Sequence, residues 1–276
     1  MRRDRVAEDI FVFVSDLHAQ VTCTVLLTGD GALVVDSLAF PSEAREVKAF
    51  IEEQLGPNSV RYLINTHSHA DHVYGNSVFA SAEVIAHDTG RQALAGRGEA
   101  QLMRARRQLP GLADATLRLP DITFHKEMHL HIGHRHLQLM HTPGHTSDSI
   151  SVYEVNERVW MAGDLAMPVP QITSGNVEQF RASLEQMRQA EPDFVVQGHG
   201  DVLLRGEVSD VVDAHLAYLD IIERRVRSVI KAGKPPRALQ AIDIESCGLS
   251  RIPLDGAVVR LHLENLIYLY RQMTGL

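Results

Sequence analysis

Apolar residues recur along this chain in two rhythms. Residues 10–14 and 21–28 are short apolar runs that predict two adjacent strands, joined by Ser15-Asp16-Leu17-His18-Ala19-Gln20. Gly29-Asp30-Gly31 signals a turn before a third strand, Ala32-Leu33-Val34-Val35. The rhythm then becomes helical. Val47, Phe50, Ile51 and Leu55 share one face of a helix that starts at Glu43, is capped by Ser42 and ends at Gly56-Pro57. A strand over 60–65, a polar loop, a helix opening at Val73 and a short strand over 83–86 follow. Residues 88–109 predict a helix broken near Gly96 and Gly98. Residues 122–141 alternate apolar and polar about a turn at Gly133, and 149–155 and 158–162 read as two more strands. A helix over 177–190 and a strand over 193–196 come next, and the character then changes. Residues 207–232 read as one long helix, with Val208, Val211, Val212, Leu216, Leu219, Ile222, Val226 and Val229 as its apolar positions. Gly233 and Pro235-Pro236 end it, a loop passes through Cys247, and 256–273 form the final helix.

Strands come first, then strand and helix alternate, twice over. That order predicts a layered α/β protein with sheets inside and helices outside. At 276 residues, 45% of them hydrophobic, the chain can bury an ample core. We expect a core over 1–206 with a helical extension over 207–276 packed on it. The net charge of -8 argues against a general binder of nucleic acid or of anionic membranes. No apolar segment follows Met1-Arg2-Arg3-Asp4-Arg5, and no run is long enough to span a bilayer, so a cytoplasmic location is the expectation. Cys23 and Cys247 make no disulfide framework and read as buried apolar residues. Arg91, Arg97, Arg104, Arg106 and Arg107 read as a solvated helix face; the sharper alternative is an arginine-lined mouth that attracts a carboxylate-bearing substrate.

The chemistry concentrates in Thr66-His67-Ser68-His69-Ala70-Asp71-His72, where three histidines and an aspartate fall within six positions. Imidazole nitrogens and carboxylate oxygens are the donors zinc takes at catalytic sites. The stretch follows a short apolar strand, so its side chains sit in a loop fixed by rigid elements. In an extended loop His67 and His69 point the same way, and Asp71 and His72, after the chain turns, are set to serve a second metal. His125, His129, His131, His134 and His136 alternate across the hairpin around Gly133 and read as its solvent face. His87, His141, His215 and His262 read as structural or surface residues.

His67-Ser68-His69-Ala70-Asp71-His72 resembles the H-x-H-x-D-H signature of the metallo-β-lactamase superfamily. Further landmarks of that superfamily follow in order: Asp36 at the end of an apolar strand, His145 in Thr142-Pro143-Gly144-His145-Thr146, Asp164 after Val159-Trp160-Met161-Ala162-Gly163, and His199 in Gln197-Gly198-His199-Gly200. The resemblance implies a four-layer αββα sandwich with the metal site at one edge between the sheets. It implies that His67, His69 and His145 hold a first metal, that Asp71, His72 and His199 hold a second, and that Asp164 bridges the two. The implied cofactors are two zinc ions per chain, with iron or manganese as substitutes.

The implied activity is a dinuclear metal-dependent hydrolase, in which a metal-bridging hydroxide attacks the carbonyl of an ester, thioester, lactone or amide in a small-molecule substrate. Asp71 would orient that hydroxide and move a proton, and Asp36 would hold the metal loop by hydrogen bonds. Thr142 and Thr146 are candidates for similar support. Tyr74 and Met167 are candidates for the substrate pocket, as are the loop after Val14, the arginine-rich helix and the segment 165–170. The ligand set is similar to that of glyoxalase II and the lactone hydrolases. The best-known zinc β-lactamases carry a cysteine where this chain has Asp164, and flavodiiron proteins a glutamate where it has His69. Two alternatives stand beside the hydrolase: a mononuclear iron oxygenase like the persulfide dioxygenases, and a non-catalytic scaffold. Either a monomer or a homodimer fits.

Overall fold

The computed structural model describes residues 1–275. Thirteen strands form two sheets. The first runs β1 (Arg2–Ala7), β2 (Ile10–Val14), β3 (Thr22–Thr28), β4 (Gly31–Val35), β5 (Val60–Ile64), β6 (Glu83–His87) and β7 (Ile122–Phe124), in sequence order. Short turns make β1 to β4 antiparallel. Helix α1 (Pro41–Leu55) carries the chain over one face so that β5 runs parallel to β4, and later helical crossovers add β6 and β7 in the same sense. The second sheet has the order β13-β12-β11-β10-β9-β8. It comprises β8 (Glu127–Ile132), β9 (Arg135–His141), β10 (Ile150–Glu154), β11 (Val159–Gly163), β12 (Phe194–Gln197) and β13 (Val202–Leu204). Helix α5 (Val177–Gln189) makes the parallel crossover from β11 to β12.

Because side chains alternate across a strand, each sheet presents two faces. Ile10, Val12 and Val14, Leu33 and Val35 meet Leu137, Leu139, Ile150, Val152, Val159 and Met161 in one core between the sheets. The intervening Phe13, Ala32 and Val34 point the other way, onto Val47, Phe50 and Ile51 of α1. Trp160, Ala162 and Val195, on the outer face of the second sheet, pack under α5, α6 (Arg205–Lys231) and α7 (Val258–Thr274). The layers are therefore helix, sheet, sheet, helix, as the resemblance implies. The apolar faces of α6 and α7 share that outer core with β11, β12 and α5. Among the described residues no helix is long and apolar enough to cross a membrane.

Several local expectations change. Residues 2–7, four charged positions followed by Val6 and Ala7, form the edge strand β1. Helix α1 begins one residue before Ser42: Pro41 occupies its first turn, where the missing N–H is no loss, and no side chain caps it. The helix expected at Val73 starts within the metal loop, as the short α2 (Ala70–Val73). The break near Gly96 and Gly98 is a π-helical segment, Leu94–Gly98, between α3 (Asp88–Ala93) and α4 (Glu99–Gln108).

Candidate metal centre

The carboxyl ends of β4, β5, β11 and β12 converge where the two sheets touch. Thr22 N–H donates to the Gly198 carbonyl at 2.9 Å, and Ile150 N–H donates to that of Thr66 at 2.8 Å, stitching the edges together. The seven predicted metal-holding residues gather here in two groups. His67, His69, His145 and Asp164 bring donor atoms within 4.8 Å of one another, and so do Asp71, His72 and His199. Asp164 lies between the groups. Its Oδ2 is 3.3 Å from His145 Nε2 and 3.7 Å from His67 Nε2, and its Oδ1 is 3.3 Å from His72 Nε2 and 3.6 Å from His199 Nε2.

Anchoring of the opposite ring nitrogen aims most of these imidazoles inward. His145 Nδ1 donates to the Gln171 carbonyl and His199 Nδ1 to the Ala19 carbonyl, each at 2.9 Å. His72 Nδ1 donates to Asp36 Oδ2 at 2.7 Å. Each bond places a proton on Nδ1, so that in the neutral ring Nε2 is a lone pair facing the centre. Asp36 also accepts from Thr66 N–H at 2.8 Å and from Thr66 Oγ1 at 2.7 Å, and that hydroxyl oxygen lies 3.1 Å from His67 Nδ1. One buried carboxylate thus orders two of the histidines. Asp36 sits at φ 60°, a left-handed backbone that an aspartate tolerates better than most residues.

The loop is pinned from other sides as well. Asp148, which the sequence reading did not single out, accepts from Ser68 N–H at 2.8 Å. Ser37 and Asn65 both donate to the His72 carbonyl, at 3.0 and 3.2 Å. Thr142 bonds to Ser151 of β10 at 2.9 Å, and Thr146 to Ser149 within its own loop at 2.7 Å. Gly198 is required at its position: a Cβ there would strike Asp164 Oδ1 and stand 2.7 Å from the Gly163 carbonyl carbon.

Burial and neighbouring charge set the protonation of the group. Burial, helped by the adjacent imidazoles, pushes His67 well below the ordinary histidine range and His69 down to about 4, so both rings are neutral donors. Burial opposes charge on Asp71 and Asp164 too, yet the surrounding histidines win and hold both carboxyls ionised. Burial likewise works against a proton on His72 and His199, but Asp164 and its companion carboxylates raise both. Without a metal, protons balance these carboxylates, and a cation would displace them.

His67 Nε2, His72 Nε2 and Asp164 Oδ1 are buried and have no hydrogen-bond partner among the described residues. Unpaired polar atoms of this kind are expensive to bury. Three at one point, with a nitrogen-and-oxygen donor set, fit divalent metal ions.

The centre opens into a cavity of about 390 Å³. His69, Asp71, Asp164 and His199 lie on its lining, with Met167, Gln171, Thr173 and Ser174 beside them and Leu254, Ala257 and Leu261 opposite. His18 and Ala19 supply the expected contribution of the loop after Val14. The cation on the lining is Arg260 of α7, not a residue of the arginine-rich helix. Arg91 and Arg106 instead donate to the carbonyls of Pro120 and Ala115. Tyr74 also lies off the lining: it is 5% exposed and packs among Phe40, Val73, Leu94, Leu102 and Leu112. A larger cavity, of about 740 Å³, lies against α6 and is walled by Gln197, Val211, His215 and Ile252. It contains none of the seven residues, so its size does not make it the reactive site.

The sequence pattern of the metallo-beta-lactamase superfamily matches residues 18–199, which take in all seven of these residues. The chain belongs to that superfamily. Similar proteins include a beta-lactamase-like protein 2 homolog of Drosophila melanogaster, 24% identical over 192 residues, which are 67% of this chain and 59% of that protein. Another is a hydroxyacylglutathione hydrolase of Methylococcus capsulatus, 26% identical over 129 residues, 46% of this chain and 43% of the relative. The chain spans 35 to 59% of the length of the curated relatives it matches. Among solved structures, a metallo-beta-lactamase family protein of Thermus thermophilus superposes with a TM-score of 0.71 at 17% identity, covering 98% of this chain and 95% of the other. A stereoselective inverting sec-alkylsulfatase of Pseudomonas sp. gives a TM-score of 0.74 at 16% identity, covering 99% of this chain and 50% of the other. These structural likenesses bear on the fold alone.

Proposed function

We propose that this metallo-beta-lactamase superfamily member is a hydrolase that works with two divalent metal ions, zinc by preference. In this reading His67, His69 and His145 hold one ion, Asp71, His72 and His199 the other, and Asp164 contacts both. The substrate is a small molecule with an ester, thioester, lactone or amide bond. The observation that carries the proposal is the set of unpartnered buried atoms, His67 Nε2, His72 Nε2 and Asp164 Oδ1, beneath an open cavity. When bound, a divalent metal lowers the pKa of water from about 16 to about 7 and so supplies a hydroxide nucleophile at neutral pH.

The chain's own residues do the rest. Asp71 Oδ2, 3.3 Å from His199 Nε2, orients the attacking oxygen and takes up its proton. His18 Nε2 lies 3.6 Å from the same oxygen, and its ring is 43% exposed, which gives the proton a route to solvent. Thr173, Ser174 and Gln171 offer hydrogen bonds to polar parts of the substrate, and Leu254, Ala257 and Leu261 offer an apolar wall. Arg260 is a permanent cation at the mouth, paired among the described residues with exposed Glu264 at 3.0 Å, and it favours substrates with an anionic group remote from the scissile bond.

The test is metal analysis of the purified protein joined to a panel of ester, thioester, lactone and β-lactam substrates. The thioester is suggested by the hydroxyacylglutathione hydrolase relative. Two zinc ions per chain with chelator-sensitive turnover is the expected result. One iron per chain with no hydrolysis would replace this reading by an oxygenase, and no metal after reconstitution would replace it by a scaffold.

A further inference from the structure

A third group of donors converges away from the centre just described. His87 ends β6, Asp88 opens α3, and His125 occupies the turn between β7 and β8. One donor atom from each lies within 4.8 Å of the other two. The side chain of His87 is buried, at 2% exposure, while those of Asp88 and His125 are 38% and 71% exposed, so the group is open to solvent on one side.

The hydrogen bonds around His87 assign its tautomer. Nε2 lies 2.8 Å from the backbone carbonyl of His125, and a carbonyl only accepts, so the proton is on Nε2. In the neutral ring Nδ1 is then a lone pair. It accepts from Thr89 Oγ1 at 2.8 Å and, less directly, from Thr89 N–H at 3.3 Å. Asp88 Oδ1 stands 3.0 Å from the same Nδ1 and is itself an acceptor, taking Thr89 N–H at 2.7 Å. Thr89 N–H bridges these two acceptors, and the Thr89 hydroxyl also reaches Nδ1; a metal ion would take the place of that hydroxyl on the ring nitrogen and share the carboxylate.

The surroundings favour the metal. His125 Nδ1 is 3.5 Å from Asp88 Oδ2, which brings a third donor to the open side. His87 is anchored through its far nitrogen to a carbonyl, the bond that orients a metal-binding imidazole. His141 stacks on it with ring centroids 4.1 Å apart and is itself tied to the Ser147 carbonyl at 2.9 Å. The ring is thus immobilised with its lone pair toward the carboxylate. Turning the Thr89 hydroxyl off Nδ1 and rotating the two exposed side chains closes a site.

We propose that His87 Nδ1, the Asp88 carboxylate and His125 Nδ1 form a peripheral binding site for a zinc-class divalent cation. Two imidazoles and a carboxylate suit zinc, cobalt or nickel rather than magnesium or calcium, which take oxygen donors. Water completes the coordination from the exposed side. The ion ties the N-terminus of α3 to the β7–β8 turn.

The test is equilibrium dialysis of the full chain against Zn²⁺, followed by elemental analysis, for wild type, His125→Ala and Asp88→Asn. His125 is exposed, so its removal leaves the fold intact. Asn at 88 keeps an acceptor for Thr89 N–H, so the start of α3 survives. Wild type should retain one more zinc per chain than either variant, and zinc should raise the Tm of wild type more than that of His125→Ala. The difference between wild type and variant is read whatever the His67–His199 centre holds, so this inference and the proposed hydrolase fail separately. Equal zinc content and an equal Tm rise in all three proteins would overturn it, and the 3.0 Å approach would then be only the sharing of Thr89 N–H at the start of α3.

Discussion

Asp36→Asn isolates the role of the carboxylate that orders the metal loop. The exchange keeps shape, and asparagine tolerates the left-handed φ of 60° at this position, so the backbone has no reason to move. One oxygen can still accept from Thr66 N–H. The other becomes an NH₂ that faces His72 Nδ1–H, and two donors cannot bond. The imidazole relieves the conflict by carrying its proton on Nε2, the atom 3.3 Å from Asp164 Oδ1 that is meant to take the metal. A hydrogen bond to a charged acceptor is worth about 1.5–3 kcal/mol, which corresponds to about 10–150-fold in binding. Loss of an outer partner to a metal-holding histidine typically weakens metal affinity by about 10–100-fold. We therefore expect about 10–100-fold weaker binding at the His72 group. A smaller loss is expected at the His67 group, reached only through the Thr66 hydroxyl. Chelator competition that resolves the two equivalents measures both. A folded Asp36→Asn protein with wild-type affinity for each equivalent would refute the argument that Asp36 selects the tautomer.

Three other outcomes follow from the same geometry. Arg260→Ala should raise KM for an anionic substrate by about 2–5-fold, the range of an exposed ion pair, and leave KM for a neutral isostere unchanged; Arg104→Ala should change neither. Gly198→Ala should destabilise the fold by about 1–3 kcal/mol in urea unfolding, and lower metal content, because its Cβ meets Asp164 and the Gly163 backbone. His215 is 2% exposed, and burial pushes its pKa down to about 4, so the unfolded chain takes up a proton there before the native protein does. Its contribution to stability is fully present above pH about 6.5 and is lost as pH falls toward 4, about 3 kcal/mol in all. In His215→Leu that part of the acid dependence should vanish, as read by unfolding at a series of pH values.

The sequence discloses what is dense or periodic and conceals what is solitary. The alternation of Ile10, Val12 and Val14 against Phe11 and Phe13 is visible because each set faces a different core. Strand β1 is not visible, since Arg2, Arg3, Asp4 and Arg5 lie on a sheet edge where charge guards against pairing with another chain, and only the ladder to β2 makes them a strand. The residues proposed to hold metal are legible because four of them crowd one loop and the other three sit at strand ends or in a glycine-flanked loop. His18, Asp148 and Arg260 carry no such mark.

Local density is even misleading about the cation at the mouth. The arginines of 91–107 draw attention by number, yet Arg91 and Arg106 donate to the carbonyls of Pro120 and Ala115 and none of the group lies on the cavity lining. Arg260 stands alone in an apolar helix and reaches the cavity only because α7 folds over the second sheet. The same holds for His125, which reads as one more histidine of a polar hairpin until the turn sets its carbonyl against His87 and its ring beside Asp88. Loop ligands are selected for a shared chemistry, so they leave a pattern in the chain. Residues that tune specificity answer to the substrate one at a time, and only the folded chain puts them side by side.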